Sequence, residues 1–109
     1  MNEVAANYSE EMPGAISEAD PAEMRLPTTR MSGADPWKLH RQIRDFGSSK
    51  VGMPPLFVYE DPDGILEIFD GVTRATRMAK LSPGVTVPYI VIGHYRKSRA
   101  AALRVKDRL

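Results

Sequence analysis

The chain has 109 residues, 42 % apolar and 27 % charged, with a formal net charge of +1, which supports one domain around one modest core. It holds no cysteine, which excludes disulfides, thiolate catalysis and zinc–thiolate sites. His40 and His94 show no metal-ligand spacing, so no metal site is predicted, and no run of about 18 apolar residues reads as a membrane span.

Charge is unevenly spread. Residues 1–24 carry Glu3, Glu10, Glu11, Glu18, Asp20 and Glu23 with no Lys or Arg, whereas residues 95–109 carry six cations against Asp107 alone. Ends biased in this way are either solvated faces or interaction tails. The first residues have neither a basic n-region nor an apolar core, so no signal peptide is predicted and a cytoplasmic location is expected.

Residues 1–21, acidic and interrupted by Pro13, Gly14 and Pro21, read as a flexible N-terminal arm, and 22–109 as a single domain. Asp20 as cap and Pro21 at a first helical position allow a short helix near Met24. A short edge strand near 22–26 follows, closed by Pro27. Asp35 and Pro36 then open a helix over 36–46 that Gly47 stops, predicted to bury Leu39, Ile43 and Phe46 with His40 as a packing residue at its edge.

Pro54-Pro55 forces an extended approach to the strand Leu56-Phe57-Val58-Tyr59. Asp61-Pro62-Asp63-Gly64 is a turn, and Ile65 to Phe69 returns as the second arm of a β-hairpin. A helix over about 73–81 buries Ala75, Met78 and Ala79. Val85 to Ile92 is β-like, with Val87, Tyr89 and Val91 on one face and Pro88 confining it to an edge or bulge. Ser98 to Arg108 reads as a basic terminal helix. This order predicts an α+β fold, a small mixed β-sheet with helices packed on it.

The turn Asp70-Gly71-Val72-Thr73-Arg74 joins a strand to a helix N-terminus, where backbone N–H groups and the dipole favour an anion. Gly71 permits close backbone approach, Thr73 can cap the helix and donate its hydroxyl, and Arg74 and Arg77 lie three apart to supply charge. In the terminal helix, Arg96, Lys97, Arg99 and Arg104 are candidate contacts to a nucleic-acid backbone, without interleaved aromatics for stacking.

From about Arg25 to Ile92 the layout resembles the ParB/sulfiredoxin-like superfamily. The resemblance lies in a helix ending in glycine, then Pro54-Pro55-Leu56-Phe57-Val58, Gly71-Val72-Thr73-Arg74, and Val85-Thr86-Val87-Pro88-Tyr89-Ile90-Val91. It implies that Gly71 and Arg74 contact nucleotide phosphates, of CTP in ParB proteins and of ATP in sulfiredoxin, and so a nucleoside triphosphate as a cofactor. Val72 stands where sulfiredoxin-like proteins place their catalytic cysteine, which excludes sulfinic-acid reduction. Thr73 replaces the charged residue of the ParB box, and too few residues follow Tyr95 for the helix-turn-helix domain of ParB proteins.

Three functions follow as expectations. The first is a ParB-like, phosphate-recognising module for a nucleotide or nucleic acid, acting in no membrane and as a possible homo-oligomer. The second is a small nuclease drawing on Asp70, Glu67, His40, Asp61 or Asp63. The third is an interaction domain with no phosphate ligand.

Overall fold

A computed structural model describes residues 15–109. Strands β1 (Ser17–Ala19), β2 (Leu56–Glu60), β3 (Leu66–Asp70) and β4 (Val87–His94) form one sheet in the order β1-β4-β2-β3. The β2–β3 and β1–β4 pairs are antiparallel and β2–β4 is parallel, so the sheet is mixed and the fold is α+β, as the hairpin in the sequence implies. Helices α1 (Pro36–Phe46) and α2 (Val72–Leu81) complete it. Among the described residues, no helix is long and apolar enough to cross a membrane.

The hairpin forms because Asp61 fixes its own turn. Its Oδ1 accepts the N–H groups of Asp63 and Ile65, both at 2.8 Å, and Gly64 takes the positive φ of +85° that closes it. α2 buries Ala75, Met78 and Ala79 against Leu56, Val58, Ile68 and Val87. Tyr89 and Val91 pack on that same core, matching the predicted face of β4. Pro88 nevertheless lies in an interior strand, not an edge. The ladder to β2 begins one residue later, at the Leu56–Tyr89 pair, so the missing N–H of Pro88 lies outside that ladder.

Most of the acidic arm expected over 1–21 lies outside the described residues. The remainder moves the boundary, since β1 pairs with β4 inside that stretch. The edge strand expected near 22–26 is a 3-10 turn, Pro21–Glu23, capped by Asp20 as its sequence suggests, followed by a bridged segment. Arg25 exchanges hydrogen bonds with Leu66 and Ile68 of β3, at 2.8 and 3.0 Å. Met24 and Leu26 point into the core.

The basic terminal helix is absent, and this is the largest correction. Leu103 to Val105 runs extended beside Met24 to Leu26, with Leu26 N–H donating to Leu103 O at 2.7 Å and Val105 N–H to Met24 O at 2.9 Å. Only Val105–Arg108 then coils, as one 3-10 turn. Burying Leu103 and Val105 against β3's neighbour satisfies both backbones, which an isolated helix of this length does not match.

Candidate functional site

β3 ends at Asp70, and Gly71 turns the chain into α2 with φ +117°. A Cβ at Gly71 would run into Leu56 Cδ2 and crowd the Arg74 guanidinium at 3.0 Å, so packing as well as backbone angle demands glycine here. Gly71 is itself the N-cap, and no side chain caps α2. Thr73 therefore lies inside the helix and does not act as its cap. The first helical bond, Ala75 N–H to Gly71 O at 2.9 Å, leaves the N–H groups of residues 72–74 without an intrahelical acceptor.

These residues form one wall of an open cleft of about 480 Å³. The flank of α1 supplies the opposite wall with Lys38 and Arg41, and the loop before it adds Arg30. Together with Arg74, four cations line the cleft, against Asp35, Asp45 and Asp70. Two of these carboxylates are already engaged: Asp35 Oδ2 accepts Lys38 N–H at 3.0 Å as the cap of α1, and Asp45 pairs with Arg44 at 3.0 Å. Arg30, Lys38 and Arg41 have no ion-pair partner among the described residues. The lining therefore carries a net charge of +1, and Arg44 offsets Asp45 from outside the cleft. Phe69 also lines it and is 60 % exposed.

Arg74 is poorly held. One terminal nitrogen reaches Pro55 O at 3.4 Å and Asp70 Oδ2 at 3.9 Å, while its buried Nε has no hydrogen-bond partner. A guanidinium presents five donors, and a buried one left unpaired is costly unless a ligand or a small side-chain shift satisfies it.

Arg77, predicted as the second phosphate contact, is elsewhere. It is 2 % exposed and donates to Gly47 O at 2.7 Å, Ser49 O at 2.8 Å and Gln42 Oε1 at 3.2 Å, with the Phe46 ring 5.4 Å from its guanidinium carbon. Burial lowers its pKa from the ordinary arginine value. A three-residue step rotates a side chain by about 60° around a helix, enough to move it from the cleft into the seam between α1 and α2. Arg77 is a structural clamp. It also changes the predicted core of α1, because Phe46 covers the clamp and stays 52 % exposed, while Leu39 and Ile43 are only half-buried and His40 is exposed.

The C-terminal cations split. Arg99 Nε lies 2.5 Å from the buried Glu67 carboxylate, and Arg104 pairs with Glu23 at 3.4 Å and Asp107 at 3.6 Å. Arg96 and Lys97 are exposed. The four do not form one basic helix face. Of the acid–base candidates, Asp61 accepts three backbone N–H groups, including Arg99 N–H at 2.7 Å, and Glu67 is held by Tyr95 at 2.6 Å as well as by Arg99. Burial opposes ionisation of Asp61, but those N–H groups of Arg99, Ile65 and Asp63 outweigh it and lower its pKa. Asp70 alone of these candidates lines the cleft.

Sequence reading missed Arg30, Lys38, Arg41 and Phe69. Lys38 and Arg41 share a helix face, but nothing local says that this face looks onto the Gly71 turn. Comparison of the chain with protein families, with characterised proteins and with solved structures returns no match.

Proposed function

We propose that the chain is a phosphate-recognising module of ParB-like type, whose cleft takes the phosphate of a nucleotide or of a nucleic-acid backbone. The observation that carries this reading is Arg74, a cation at the cleft wall with a buried, unpaired Nε and long contacts elsewhere. A phosphate in the cleft offers it a bidentate partner, and the uncapped N–H groups of residues 72–74 add donors on the same side. Arg30, Lys38 and Arg41 supply the remaining charge. A nucleoside triphosphate is the cofactor this reading allows, with Gly71 and Arg74 as its nearest contacts.

The test is a binding panel of pyrophosphate, nucleoside triphosphates and short oligonucleotides at low salt. Arg74→Ala is expected to weaken the best ligand by about tenfold or more, the scale of a lost charged hydrogen bond. Unchanged binding across the panel would remove the proposal.

A further inference from the structure

Two exposed aromatic side chains accompany the cations, and neither belongs to the core. Phe69 stands in the cleft with its ring edge-on to Tyr59, centroids 5.7 Å apart at 84°, so it is held upright while its outer face stays open. Trp37, the only tryptophan in the chain, is 75 % exposed. It precedes Arg41 by four residues on α1, so the two are neighbours on one helix face, and Arg41 lines the cleft. Trp37 does not itself line the cleft; it stands outside that wall, one helical turn from Arg41, which does. Tryptophan is highly buried on average, and this indole is instead open to a ligand.

Resting on the phosphate reading above, we infer that the cleft binds single-stranded nucleic acid, with unpaired bases stacked on Phe69 and Trp37 and the intervening phosphates held by Arg30, Lys38, Arg41 and Arg74. A positively charged groove flanked by aromatic faces is how proteins hold single strands without reading sequence, because every base has a π-face. A free mononucleotide has one base and cannot use both platforms. A duplex keeps its bases stacked away from them. An acidic peptide satisfies the cations but leaves the rings unused.

Trp37 is also the reporter. Titrating an oligothymidylate of about ten residues is expected to quench the tryptophan emission, whereas an abasic oligomer of equal charge binds more weakly and leaves the emission unchanged. By anisotropy of a labelled strand, Trp37→Ala and Phe69→Ala each weaken binding by about tenfold, within the range measured for lost base stacking. Urea unfolding of both variants shows whether folding is intact, and Trp37→Phe retains part of the affinity. Equal binding of the abasic and normal strands, or a poly-glutamate peptide binding as tightly as the strand, overturns the inference. If Arg74→Ala still weakens those ligands, the phosphate reading survives without it. If no anionic ligand binds at low salt, both fall.

Discussion

The Arg77 guanidinium donates to the carbonyl of Gly47 at 2.7 Å, tying α2 to the residue that ends α1. A second bond to Ser49 O at 2.8 Å makes the clamp two-pronged. Each of these helices contributes to one wall of the cleft, so Arg77, which ties them together, helps to set the cleft's width without lining it. Its planar fork matters more than its charge, because two carbonyls and an amide must be reached at once.

Arg77→Ala is accordingly expected to lower stability by roughly 2–4 kcal/mol, as two part-buried carbonyls lose a charged donor and a buried side chain is removed from the helix seam. Arg77→Lys is expected to recover little of this, since an ammonium lacks the fork. The measurement is the urea midpoint at unchanged m-value. A loss below about 0.5 kcal/mol for either variant contradicts the clamp.

A pH effect is expected at the other end of the sheet. Burial first, and then donation to the Glu67 carboxylate, push the Tyr95 phenol up to about 12, with Arg99 partly opposing. The unfolded phenol ionises near its ordinary value of 10. Below pH 10 both states keep the proton and the contribution is complete. Between pH 10 and 12 the unfolded state releases it first, so stability falls. Ultraviolet titration should show one phenol ionising late, and Tyr95→Phe should flatten the decline in stability across this window. An equally steep decline in that variant assigns the effect elsewhere.

What the sequence made legible was local. The Asp35-Pro36 start and Gly47 stop of α1, the Asp61 to Gly64 turn and the apolar stripe of α2 are each set by residues within a few positions of one another, and the structure has them all. What it hid was long-range. The edge strand expected near 22–26 does not say that Arg25 pairs with β3, nor does Leu103 show that it lies beside Leu26, and the basic tail consequently reads as a helix. The site divides in the same way. The Gly71 turn and Arg74 are visible as a strand-to-helix junction, whereas the opposing wall with Lys38 and Arg41 exists only once α1 packs on α2. Arg77 was misread because spacing gives a helix face but not what the face meets.

The terminal segment is therefore part of the domain. Val105 is 1 % exposed and Leu103 packs on the same core, so a chain ending after Tyr95 loses both and leaves the backbones of Met24 and Leu26 unpaired. That truncation is expected to lose the cooperative thermal transition. The pair Arg96→Ala and Lys97→Ala, at exposed positions, is expected to change stability by less than about 0.5 kcal/mol. If the truncated chain melts cooperatively at the same temperature, the bridged segment contributes nothing to the fold.

Asp70 opposes the function proposed for its neighbour. Its carboxylate is 3.9 Å from the Arg74 guanidinium, on an exposed side chain that competes with any incoming phosphate and repels it. Asp70→Asn keeps the size of the group and removes the charge. Anion affinity is expected to rise by about two- to fivefold, the scale of one exposed ion pair, and most at low salt where screening is weakest. A hydrolase using Asp70 as a base or metal ligand behaves in the opposite way, because the same substitution abolishes turnover whatever it does to binding. Measuring oligonucleotide affinity and phosphodiester cleavage on one preparation of Asp70→Asn separates the two. Tighter binding with no cleavage by either form fits a recognition module, whereas weaker binding removes Asp70 as a competitor for Arg74.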